Sequence, residues 1–409
     1  MTSGQLQVQP PAETDWSRML AARTALGGGE LTAILALAGS RDTITFSGGF
    51  PAPETFPVEA LSDVMGRILA EDPAAALQYS PTEGRQPARE AVARLVAETQ
   101  GVRPDPAGVL VTSGGIEALQ LITRVFLDPG DVVGVEAPTY LGALMAFAGA
   151  EARLVGVGMD EHGLDVDRLE AMVAGGERPK LLYVIPDHQN PTGLTLSSPR
   201  RAQLVELCRR YGILVVEDVA YRELGFDGRP QPTLWSLGPD VVLQIGTFSK
   251  IMFPGVRLGW AIGPRAVTTA MAAAKQNSDQ CSGALGQTVM SRLVEEGFFP
   301  AHLRRARALY AGRARAMLDA LERHMPPGTS WTRPAGGFFV WLTAPGADTR
   351  SLVLPARRLK VAYVPGAPFY PGHAGAHQMR LAYSGTAEAD IEVGIERLGR
   401  LLAGGGGRP

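Results

Sequence analysis

Seven short apolar runs punctuate the chain between residues 108 and 263: GVLVT, DVVGVEAP, ARLVGVG, KLLYVIP, ILVVED, VVLQIGTF and RLGWAIG. Each is rich in Val, Ile and Leu, and from about residue 57 onwards the segments between them carry helical patterns. Apolar runs of this kind read as strands buried on both faces, which places them in a mostly parallel sheet covered by helices. Near Gly297 the pattern changes. HLRRARALYAGRARAMLDALERH is a long amphipathic helix, SWTRPAGGFFVWLTA, VAYVP and QMRLAYS read as strands, and AEADIEVGIERLGRLLA is a last helix. At the other end a polar, Pro-containing arm leads to a short helical pattern around Leu31 to Leu37 and then to ITFSGGFPAP, a strand or turn.

The expected fold is therefore α/β: a large domain over residues 57–296, with a seven-stranded mostly parallel sheet between helices, and a smaller α+β domain. The smaller domain combines the N-terminal arm, residues 1–56, with residues 297–409, and the tail GGGGRP reads as disordered. A chain of 409 residues suits two such units, because single cores stop growing at about 250–300 residues. A formal charge of -2 offers no basic excess for nucleic acid or acidic lipid. No apolar run approaches the roughly 18 residues of a membrane helix, the start lacks the layout of a signal peptide, and a cytoplasmic location is expected. Cys208 and Cys281 have no CxxC partner, which points to packing and away from a disulfide framework or a metal site.

In sheets of this type ligands lie beyond the carboxyl ends of the strands, so the residues after each run are the informative ones. GVLVT is followed by SGGIEALQLI, a glycine turn opening a helix whose free N–H groups suit a phosphate or simply make a tight turn. KLLYVIP is followed by DHQNPTG, ILVVE by DVAY, and VVLQIG by TFSK. An isolated Asp in such a place is commonly a helix cap. Lys250 stands out differently: it is one of four lysines among 39 basic residues, at a strand end seven positions before Arg257. A lysine amine in a cationic, partly desolvated site can lose its proton and attack a carbonyl, which a guanidinium cannot do. Amine, carboxylate, phenol, amide and phosphate cradle together are the parts that hold pyridoxal 5'-phosphate.

The motifs SGGFPAPETFP, LQYSPTEG, VTSGGIEAL, EAPTY, QNPTG, VVEDVAYREL, TFSK, RPAGGFFVW and MRLAYS occur in that order from about Leu31 to Leu402. In this the chain resembles the fold type I, class I/II pyridoxal-phosphate aminotransferases, and among them the 2-aminoadipate and kynurenine aminotransferases. The resemblance implies that Lys250 bonds to the cofactor aldehyde and acts as general base, and that Asp218 pairs with the ring nitrogen. Asn190 and Tyr221 would bond the ring phenolic oxygen, and Tyr140 would stack on the ring. The N–H groups of Gly115 and Ile116, the hydroxyls of Thr247 and Ser249, and Arg257 would hold the phosphate. It further implies a homodimer in which Tyr79 reaches the phosphate of the neighbouring subunit. Arg380 would grip the substrate α-carboxylate, helped by Asn190 and the backbone near Gly49.

Three positions depart from the family pattern. Ile116 has no polar side chain to offer the phosphate, and His188 reads as a packed residue at a strand end or as a contact behind the site. Thr32 stands where relatives that favour 2-aminoadipate have an arginine, so the expected substrate has a non-acidic or unusual side chain; the alternative is that Arg23 swings in to do the arginine's work. Aminotransfer by a ping-pong route is the expected reaction, with β-lyase, decarboxylase or oxidase chemistry on the same scaffold as alternatives and a non-enzymatic ligand-binding role as a more distant one.

Overall fold

A computed structural model of the chain describes residues 15–21, 23–24, 42–228 and 230–404. Thr32, the helical pattern around Leu31 to Leu37 and the tail after Gly404 lie outside the described residues. In chain order the strands are β1 Ile44–Thr45, β2 Val109–Thr112, β3 Val132–Ala137, β4 Arg153–Asp160, β5 Gly163–Leu164, β6 Leu181–Val184 and β7 Leu214–Asp218. They continue with β8 Val242–Thr247, β9 Gly259–Ile262, β10 Ser330–Trp331, β11 Phe339–Thr343, β12 Val361–Ala362, β13 Val364–Pro365 and β14 Gln378–Ala382.

The seven apolar runs form one sheet in the order β2-β9-β8-β7-β6-β3-β4, and β5 adds an eighth strand at the edge. β5 is two residues long and pairs antiparallel with the end of β4; a strand so short has no periodicity to read. β8, β7, β6, β3 and β4 pair in parallel, whereas β9 runs antiparallel to both β2 and β8. Every residue of β2, β6 and β8 is buried, as expected of strands covered on both faces.

A second sheet, β10-β11-β14-β13, is antiparallel, and the helix Phe299–His324 packs against the helix Glu388–Gly404 beside it. Their approach depends on Gly399, where an added Cβ would collide with the His324 carbonyl. The segment after β1 is held between β12 and β14. Phe46 N donates to Ala362 O at 2.7 Å and Ala382 N donates to Phe46 O at 2.8 Å. Tied on both sides, the chain delivers Ser47 to Phe50 to the space between the sheets. Among the described residues, no helix is long and apolar enough to cross a membrane.

Candidate active site

The antiparallel β9 lies between β2 and β8, so β2 runs in the same direction as β8, β7, β6 and β3. The C-terminal ends of these five strands open on one cavity of about 420 Å³. Among the residues singled out from sequence, Gly49, Gly115, Ile116, Tyr140, Asn190, Asp218, Tyr221, Thr247, Ser249, Lys250, Arg257 and Arg380 all line it. Tyr79 does not. It is 80 % exposed and lies on a separate surface cavity walled by Pro73, Leu77 and Arg85. Arg23 is exposed, and His188 borders a different cavity behind the strand ends, with Asp187 and Arg222. Burial pushes the His188 imidazole down to about 4, so the ring is neutral near pH 7.

Lys250 sits in a one-turn helix, Phe248–Ile251, that starts where β8 stops, with Thr247 Oγ1 accepting from Ser249 N at 3.1 Å as its cap. The Lys250 amine donates to Gly49 O at 2.7 Å. Burial lowers its pKa to about 8; the charges of Arg380 and Arg257 add to that, and Asp218 opposes it. Asp218, the last residue of β7, is buried, and desolvation raises its carboxyl above the ordinary value. Three groups counter that rise: Tyr183 Oη donating to Oδ2 at 2.7 Å, Ala220 N donating to Oδ1 at 3.0 Å, and the charge of Lys250.

Gly114, with φ +98°, turns the chain from β2 into the helix Gly115–Phe126, whose first N–H groups have no partner within the helix. Beside that turn lies Arg257, itself in the left-handed region at φ +48°. Its guanidinium donates to Ser113 O at 3.1 Å and to Ser249 Oγ at 3.4 Å. A Cβ on Gly114 would stand 2.8 Å from Arg257 Nη2, so the glycine is what lets the cation reach the helix start. Helix start and guanidinium together make an anion cradle.

Arg380, in β14, pairs with Trp341 of β11 on one side and Val364 of β13 on the other, and is buried between two rings, Phe339 at 4.5 Å and Phe369 at 5.1 Å from its Cζ. Nη1 donates to Asn190 Oδ1 at 2.9 Å and Nη2 to Ser47 O at 2.6 Å, while Nε is buried without a partner. Burial brings its pKa down to about 10. Tyr140 and Tyr221 complete the lining, both phenols raised by burial, and Tyr221 meets Phe338 and Phe339 edge-on at 5.5 Å. Sequence reasoning missed the partners of these groups. Ser47 O and the Phe339 and Phe369 rings hold Arg380, and Tyr183 holds Asp218. The phenol of Tyr183 within the apolar stretch LLYVIP is the one mark it carried, and that mark does not say which group the hydroxyl bonds.

The description "Aminotransferase class I and II" matches residues 42–398. The chain is 42% identical over 366 residues to the 2-aminoadipate transaminase of Thermus thermophilus, covering 88% of this chain and 90% of that one. It is 39% identical over 379 residues to aromatic-amino-acid aminotransferase 1 of Thermococcus litoralis, covering 91% of both. Among solved structures, the Pyrococcus horikoshii kynurenine aminotransferase, in complex with PMP, KYN and KYA, superposes with a TM-score of 0.92 at 38% identity. That match covers 96% of this chain and 98% of the other. Because the family match takes in every described residue of the cavity lining, the chain belongs to the class I and II aminotransferases and is a pyridoxal-phosphate-dependent enzyme.

Proposed function

We propose that this aminotransferase takes L-amino acids with a non-acidic, apolar or aromatic side chain as its characteristic amino donors. The observation that carries the reading is the charge inventory of the cavity. Among the described residues its cations are Lys250, Arg257 and Arg380, and each has a task apart from the side chain. The wall offers Phe50, Leu141, Met145, Val364 and Phe369 instead, against which an apolar side chain gains about 1.5–3 kcal/mol on full burial. Among the described residues a distal carboxylate would find no bidentate partner there. The relatives named for aromatic amino acids and for kynurenine favour this reading, and the one named for 2-aminoadipate supplies its competitor.

The residues present fit the cofactor. The anion cradle of Gly115, Ile116, Thr247, Ser249 and Arg257 would take its phosphate, Asp218 its ring nitrogen, Asn190 and Tyr221 its phenolic oxygen, and Tyr140 its ring face. When bound, the cofactor supplies an aldehyde for the amino group and a ring that spreads the electron pair released at the substrate Cα. The chain does the rest. Arg380, whose Nε has no protein partner, would pair with the α-carboxylate, while Asn190 and Ser47 O hold its Nη atoms and the two phenyl rings flank it. Lys250 Nζ, partly neutral near pH 7, accepts the α-proton and returns it. One group serving both transfers suits a ping-pong exchange with a 2-oxo acid.

The active unit is read as a homodimer in which Tyr79, exposed in the single chain, completes the partner's phosphate cradle. Residues 57–296 are read as the cofactor-binding domain, and residues 1–56 with 297–409 as the second. Gly297, at φ +68°, breaks the chain between the helices Ala284–Glu295 and Phe299–His324 at that boundary. Cys208 and Cys281 are both free, in keeping with a cytoplasmic setting. Steady-state comparison of 2-aminoadipate with aromatic, aliphatic and basic amino acids tests the substrate reading. Higher kcat/KM for aromatic or aliphatic donors is expected; a clear preference for 2-aminoadipate, abolished by Arg23→Ala, overturns it.

A further inference from the structure

Tyr183 lies in the middle of β6, between Val135 of β3 and Val216 of β7. Its side chain is fully buried and does not reach the cavity; its ring meets Phe147 edge-on at 5.9 Å. The phenol has one proton to give and gives it to Asp218 Oδ2 at 2.7 Å. Burial and the neighbouring carboxylate raise the phenol well above its ordinary value, so it remains a donor throughout the working pH range.

Asp218 needs such help. Besides Tyr183, four titratable groups influence it: Glu136, Tyr140, Tyr221 and Lys250, and burial keeps the Tyr221 phenol uncharged near pH 7. Glu136 at the end of β3 repels an ionised Asp218, but burial pushes that carboxyl up to about 8, so it is mostly protonated at neutral pH, where it accepts from Ile185 N at 3.0 Å and Gln189 Nε2 at 3.1 Å. Tyr140 carries no charge near pH 7. Lys250 attracts the carboxylate, but that attraction vanishes whenever its amine is neutral. The hydrogen bonds from Tyr183 and Ala220 N therefore remain as its constant support, and the Tyr183 bond is the one contributed by a side chain.

We propose that Tyr183 is a positioning residue for the aminotransferase reaction, holding Asp218 through its phenol in the orientation and ionised form that keep a proton on the cofactor's ring nitrogen. The inference rests on the reading of Asp218 given above and adds a residue to it. A tyrosine that merely fills the core predicts something different: its variants would disturb everything bound in the cavity alike.

The experiment uses the apoprotein, Tyr183→Phe, and two probes: pyridoxal phosphate and its carbocyclic analogue in which C–H replaces the ring nitrogen. Dissociation constants come from equilibrium dialysis near pH 7.5. Tyr183→Phe should weaken pyridoxal phosphate about tenfold and leave the analogue within about twofold, since a hydrogen bond to a charged group is worth roughly this much. Equal loss for both probes, or loss for neither, overturns the proposal. Incorporating 3-fluorotyrosine at position 183 keeps the ring and strengthens the donor, so it tests the same bond should the phenylalanine variant not fold. It should preserve or increase the preference for the nitrogen-bearing probe, and a reduced preference overturns the proposal. Asp218→Asn separates the two layers of the argument. If that variant keeps the wild-type preference for the ring nitrogen, the reading of Asp218 is wrong, and the proposal for Tyr183 falls with it.

Discussion

Capture of the cofactor by the apoprotein should have a pH dependence set by Lys250. The ordinary lysine value is 10.5 and the site holds Lys250 near 8. At pH 7 about a tenth of the amines are then neutral, against about three in ten thousand for an unperturbed lysine, an enrichment of roughly 300-fold. Only the neutral amine has a lone pair for the aldehyde. Mixing apoprotein with pyridoxal phosphate in a stopped-flow spectrometer between pH 6 and pH 10, and following the visible absorption, measures the rate directly. The rate should climb steeply up to about pH 8 and level off above it. Burial is the largest cause of the shift, with Arg380 next, then Asp218 with opposite sign, then Arg257. Arg380→Gln should accordingly move the midpoint up, towards 10.5, and Asp218→Asn should move it down. A wild-type midpoint near 10.5, or movement of the two variants in the same direction, would refute the electrostatic account of why this position is a lysine in a chain otherwise rich in arginine.

Two further outcomes are expected away from the lysine. Lys275 is fully buried, with Nζ 2.8 Å from carboxylate oxygens of both Glu117 and Asp279, and those carboxylates brace the phosphate turn through Ser113. Lys275→Met should cost about 3–5 kcal/mol by leaving the carboxylates unpaired, and adding Glu117→Gln should recover part of it; a thermal midpoint unchanged by the single substitution would refute the bracing role. Tyr79→Ala and Lys250→Ala should each give inactive dimers, whereas mixed dimers should regain one working site, because one subunit supplies the lysine and the other the tyrosine. Activity in the pure Tyr79→Ala protein, or no recovery on mixing, removes the shared-site reading.

The sequence carried the strand ends well, and the reason is physical. A strand buried on both faces is largely apolar, so the polar residues that gather after it mark the edge of the sheet where ligands bind; Asp218, Asn190 and Lys250 each lie in such a group. β5 escaped because two residues have no period. The partners of the functional groups escaped for a different reason. Tyr183 is 35 residues from Asp218, and Ser47 is 333 residues from Arg380; nothing in either local pattern announces such a pairing. Within KLLYVIP the tyrosine passes as one more large core residue, which it also is. What distinguishes it is the direction of one hydroxyl, and that direction is set by the alignment of β6 against β7. Sequence pattern thus exposes the groups that face the ligand, since those interrupt apolar runs. It conceals the groups that tune them, since those must themselves be buried and look like core.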